Sequence, residues 1–182
     1  ANAIRIAARL LRSALYGGGA QLAALRGGDM VNAIPRDCSF MLACTDADAA
    51  RSLLEAQRTQ ILDEILRLEP EAFIEIAETG FNGEALDIAC GQAFAALLNL
   101  APDGVIAKNP DDYFTLSSSN LGFVRLEDGV MTAKFMPRAS VDSMLYDSMD
   151  KIALLGQLTG FEVRFADVSP GWKYEEESPV RE

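Results

Sequence analysis

Two capped helices, each set just after a pair of strand-like runs, constrain this chain most. Thr45, with Asp48 three residues on, opens a stripe of Leu53, Leu54, Ile61, Leu62, Ile65 and Leu66. Ser140 opens a second helix bearing Met144, Leu145, Met149, Ile152 and Leu155, with Asp142 in the first turn, where the helix dipole favours negative charge. Ahead of the first pair, residues 2–15 put Ile4, Ala8, Leu11 and Leu15 on one face and Arg5, Arg9 and Arg12 on another, and Gly17-Gly18-Gly19 stops this helical period. A strand follows over 21–25. The turn Gly27-Gly28-Asp29 leads into a second strand over 33–44, with Pro35 near its start or on an edge because it cannot donate to a ladder. Pro70 ends the first capped helix, 73–76 reads as a short strand, and Gly80 closes the half.

The second half repeats the order. A helix over 84–98 buries Leu86, Phe94, Leu97 and Leu98, and strands over 114–126 and 130–138 are joined by the hairpin dipeptide Asp128-Gly129. Gly160 ends the second capped helix, and 161–165 alternates as a strand. Helix, strand, strand, helix, strand thus occurs twice, at a period of roughly 90 residues that is too long for a solenoid. The expectation is an α+β fold of two ferredoxin-like halves, 1–80 and 81–168, with an antiparallel sheet and helices on one face. Residues 169–182 read as a connector leaving the domain.

The chain contains no histidine, which removes a Ser–His mechanism for Ser117-Ser118-Ser119. Asp111-Asp112 and Glu175-Glu176-Glu177 lack the ligand spacing of a calcium loop, and Gly17-Gly18-Gly19 is not followed by the Lys and Ser/Thr of a phosphate loop. A net charge of −11 argues against nucleic acid or an anionic membrane surface as partner. No apolar run reaches the roughly 18 residues of a membrane span. Cys38, Cys44 and Cys90 are odd in number and sit among apolar neighbours, which reads as reduced thiols in a cytoplasmic setting.

What remains is recognition. Arg138, at a strand end, can hold a carboxylate through two parallel charge-assisted hydrogen bonds, and Asn32 can donate from its amide to a carbonyl or carboxylate oxygen. Spacing alone favours plainer roles, a solvated charge for Arg138 and a turn residue for Asn32.

Several strings nevertheless resemble one family, the metal-dependent aminoacyl-histidine dipeptidases, also called peptidase D or carnosinase-like enzymes. They are Asn2-Ala3 with Arg9 and Leu11; Gly27-Gly28 with Asn32-Ala33-Ile34-Pro35-Arg36; Pro102 with Gly104-Val105-Ile106; Asn120 with Gly122; Arg138 with Ser140 and Asp142; and Pro170-Gly171-Trp172 with Ser178-Pro179-Val180. The resemblance implies a parent in which a separate catalytic domain holds two zinc ions, and a zinc-bound water activated by a glutamate attacks the peptide carbonyl. These 182 residues would be the inserted lid or dimerisation domain, inactive alone and without metal. The family's Gly-Gly-His-Ser-Gly segment would lie just before Ala1.

The resemblance further implies that the lid grips the free carboxylate of a dipeptide. Asn32 matches the family's lid asparagine and Arg138 its strand-end arginine. Ser117 stands where relatives often carry Thr in a Thr-Ser-x-Asn string, and Asn120 matches that string's Asn. Implied partners are the catalytic domain of the same polypeptide and the dipeptide substrate. A homodimer is a further reading, against which a duplicated lid weighs because it satisfies internally what other members satisfy by pairing subunits. The rival from another class is a stand-alone small-ligand binding or regulatory module, which tandem ferredoxin-like halves also suit.

Overall fold

The computed structural model describes residues 1–111 and 114–171. Asp112 and the stretch 172–182, with Trp172, the acidic run and Ser178-Pro179-Val180, lie outside the described residues. The class is α+β with antiparallel strand pairing and four helices. In chain order the elements are α1 (Ala3–Gly17), β1 (Gln21–Gly27), β2 (Cys38–Ala43), α2 (Ala47–Ile65), α3 (Ile88–Leu100), β3 (Gly104–Lys108), β4 (Thr115–Glu127), β5 (Val130–Ala139) and α4 (Asp142–Thr159). They form two compact units. Unit 1 takes Ala1–Leu100 and Leu121–Phe135, and unit 2 takes Ala101–Asn120 and the chain from Met136 on.

In unit 1, α1 packs against α2, α3, β1 and β2. Its expected apolar face is the core: Ile4, Ala8, Leu11 and Leu15 are buried, together with Ala7, Leu10 and Ala14. Ile61 of α2, Phe94 and Leu98 of α3, and Leu22 and Leu25 of β1 meet it there. Each such Leu, Ile or Phe contributes about 1.5–3 kcal/mol by leaving water. The arginines work at the rim, where Arg9 forms a two-bond fork with Glu64 at 2.7 and 2.8 Å and Arg5 donates to the Leu98 carbonyl. β1 pairs antiparallel with β2, and on its other edge with β4 at Arg26–Arg125 and Gly27–Val124.

Unit 2 is built on β3 paired antiparallel with the first part of β4, Gly104 opposite Ser119 and Lys108 opposite Thr115. In α4, Leu145, Ser148, Ile152 and Gly156 are buried. Gly160 ends it in the left-handed conformation, φ 79°. The turn between β4 and β5 has Asp128 at φ 51° and Gly129 at φ 74°, the double positive φ that the dipeptide announced.

Four local expectations shift. The second strand begins at Cys38 rather than near 33, because 31–36 forms a turn that docks elsewhere. α2 is capped by Asp46, whose Oδ1 accepts from the Ala49 N–H at 2.9 Å, one residue after Thr45. Ser140 does not cap α4: its N–H and hydroxyl both donate to the Leu116 carbonyl, at 2.8 and 3.3 Å, and Val141 takes the cap position without a side-chain bond. Residues 73–76 and 161–165 form no strand, although their exposure alternates residue by residue. A period of two is a property of the segment, whereas a strand needs a partner edge.

Candidate functional site

The motif residues of unit 1 collect around one loop, 28–36. Gly28 enters it at φ +61°, and a Cβ there would lie 2.1 Å from the Gly122 carbonyl oxygen. Gly122 is equally tight, because a Cβ on it would meet the Val31 backbone at 2.5 Å. Glycine at both positions lets the loop backbone lie directly on β4. The N-terminus of α1 closes the other side. Asn2 accepts from the Ile4 N–H at 3.0 Å as the helix cap, donates from Nδ2 to the Leu121 carbonyl at 3.0 Å, and is followed by Ala3, whose N–H donates to the Pro35 carbonyl at 3.1 Å.

A charged cluster braces the base of the loop. Arg26 and Arg125 stand directly opposite each other on β1 and β4, a like-charge pairing that costs stability unless offset. Asp29 supplies the offset, 3.0 Å from Arg125 and 3.7 Å from Arg26. Arg125 also donates to the Gly27 and Val124 carbonyls at 3.3 and 3.0 Å and lies 4.6 Å over the Phe123 ring, which Lys134 approaches to 4.9 Å. Sequence reading found neither Arg125 nor its role, since its partner Asp29 is 96 residues away and both are ordinary surface residue types.

The result is a braced loop with an exposed tip. Asn32 projects there between Met30 and Ile34, which are 61% and 66% exposed. Pro35 is buried at its foot. Among the described residues the Asn32 amide makes no hydrogen bond, so its two N–H groups and its oxygen are available to a ligand.

The other expected site residues belong to unit 2. Arg138 is exposed on β5, its Nη2 is 3.4 Å from the Met136 sulfur, and it makes no ion pair among the described residues. Ser117 is buried on β4, on the same face as Ser119, while Asn120 lies on the half-buried opposite face. The strand's alternation therefore divides Ser117 from Asn120. Ser119 Oγ is buried without a hydrogen-bond partner among the described residues.

Metal chemistry finds no footing here. Among the described residues no group of three or more Cys, Asp or Glu side chains is placed to hold a metal ion, so the two zinc ions implied by the resemblance do not fit them. Burial, with Asp37 adding to it, pushes the Cys38 thiol up to about 12, so it stays protonated and inert. No helix among the described residues is long and apolar enough to cross a membrane.

No family model matches the chain. The cytosol non-specific dipeptidase of Escherichia coli (strain K12) is 26% identical over 157 residues, covering 85% of this chain and 32% of that protein. The crystal structure of aminoacylhistidine dipeptidase from Vibrio alginolyticus matches 99% of this chain and 37% of that one, with a TM-score of 0.90 at 24% identity. The chain therefore spans about a third of the length of each. Its α+β fold is that of one part of a dipeptidase polypeptide, which agrees with the motif resemblance.

Proposed function

We propose that this chain, similar to one third of two dipeptidases, is the lid domain of a metal-dependent dipeptidase and grips the substrate's free carboxylate while a separate domain breaks the peptide bond. The observation that carries the reading is the match of nearly the whole chain to one contiguous share of a dipeptidase fold. The side-chain chemistry supports it. Arg138 offers an exposed guanidinium whose paired N–H groups match a carboxylate. Asn32 offers an amide on a loop fixed at both ends, which limits the entropy lost when a ligand is held.

Ser117 and Asn120 complete the set on β4. With its hydroxyl buried, Ser117 acts by fixing that strand, while Asn120 is the member of the string with access to solvent. In the whole protein the metal ions supply the activated water and the polarised carbonyl, outside these residues. The 182 residues alone bind no zinc tightly and hydrolyse no dipeptide. The working setting is the cytoplasm, and homodimer formation is not required.

Kinetics of the full-length protein test the assignment. Arg138→Ala removes a charge-assisted hydrogen bond, which is worth about 1.5–3 kcal/mol. That corresponds to a loss of roughly 10- to 150-fold in kcat/KM, carried mainly by KM. Unchanged dipeptide kinetics would take Arg138 out of the site.

A further inference from the structure

Unit 1 carries an open slot of about 1300 Å³, with 36–44 along one wall, 69–79 along the other, and Leu10, Ala50 and Leu54 of α1 and α2 on its floor. β2 is five-sixths apolar, yet none of its residues is fully buried. β1, on its inner side, buries Leu22 and Leu25. β2 ends the strand order, so its outer row of N–H and C=O groups faces the slot without a strand partner among the described residues. Across the gap, residues 72–77 alternate half-buried and exposed, Phe73 being 81% exposed, and Arg51 holds Glu78 at 2.7 Å to fix that wall.

The slot is one strand wide. Seven residues at about 3.4 Å each, about 4.8 Å across in the pairing direction and about 10 Å deep, fill roughly 1150 Å³. Topology says which strand is lacking. β2, α2 and 72–77 make a strand–helix–strand crossover whose outer members run parallel, leaving between them a place for one antiparallel strand. The order α1, β1, β2, α2, 72–77 is the β-α-β-β-α-β arrangement without its first strand. That first strand feeds α1, and Ala1, just ahead of the Asn2 cap, lines the slot.

We propose that the slot receives a β-strand of about six or seven residues from the polypeptide immediately preceding Ala1 in the longer protein, inserted antiparallel between β2 and 72–77. Chain outside these 182 residues thereby completes the sheet of unit 1. The relatives leave ample chain for this, since about two thirds of their length lies outside the match. The inference is independent of whether Arg138 holds a carboxylate.

Two measurements on the full-length protein test it. In hydrogen exchange, amides of 38–44, 72–77 and the residues before Ala1 form one protected set, exchanging at least about 100-fold slower than exposed loop amides. In disulfide mapping, Ile74→Cys is combined in turn with single cysteines at the third to eighth positions before Ala1, and cross-linking under mild oxidation alternates with a period of two. Fast exchange at 38–44 and 72–77 overturns the proposal. So does a disulfide from Ile74→Cys to Cys38 or Cys44, which would mean that 72–77 closes directly onto β2. A cross-linked dimer overturns it as well, by making a second copy the occupant.

Discussion

Replacing Gly28 by Ala tests whether the Asn32 loop is held by the backbone approach of two glycines. The variant meets two separate costs. Alanine at φ +61° sits in the left-handed region at about 1–2 kcal/mol. Its Cβ would also lie 2.1 Å from the Gly122 carbonyl oxygen, so the loop must lift from β4, an overpacking cost of about 1–3 kcal/mol. Gly19 supplies the control, with φ +60° and nothing within 4 Å of its Cβ position, so Gly19→Ala carries only the first cost. The expected loss is then about 2–5 kcal/mol for Gly28→Ala and about 1–2 kcal/mol for Gly19→Ala. In urea, at a slope of about 2 kcal/mol per M, the two midpoints separate by roughly 0.5–1.5 M. Gly28→Ala should also raise KM in the full-length protein, because the Asn32 tip moves with the loop. Equal midpoints for the two variants would refute the argument, since the backbone approach would then hold nothing.

Asp29→Asn leaves Arg26 and Arg125 facing each other without their shared carboxylate. It should cost about 1 kcal/mol, with added salt recovering part of the loss, and a midpoint insensitive to both would dismiss the cluster. Thiol labelling near pH 8 should modify the exposed Cys90 first and Cys38 last, read by peptide mass, and equal rates would contradict the enclosure of Cys38. The same thiol sets a pH dependence. Its pKa is raised from 9.0 to about 12, so its contribution to stability is whole below about pH 9 and falls as pH climbs toward 12. The Cys38→Ala variant should therefore lose less stability than the unsubstituted protein between about pH 8 and 10.

Local signals were legible wherever one stretch of chain settles its own shape. The face of α1 was read correctly because a helix satisfies its backbone internally, so Ile4, Ala8, Leu11 and Leu15 had only to recur at its period. Asp128-Gly129 and Gly160 were read correctly because a positive φ is a property of the residue. The candidate site was legible as residue types, an Arg and an Asn suited to carboxylates, but not as a place. That Asn32 stands on a loop clamped by Gly122 and braced through Arg125, or that Ser117 turns inward, depends on contacts between residues some 90 apart in sequence.

Tertiary structure alone decided the strands and caps. Residues 73–76 carry a strand's alternation, yet a strand exists only where another edge accepts its hydrogen bonds, and no partner is assigned to them. Ser140 has the chemistry of a cap, but the Leu116 carbonyl, 24 residues away, takes its hydroxyl and its N–H. Composition and period set which segments become helix or turn, because those hydrogen bonds close within a few residues. Which edges meet is fixed by chain arriving from elsewhere.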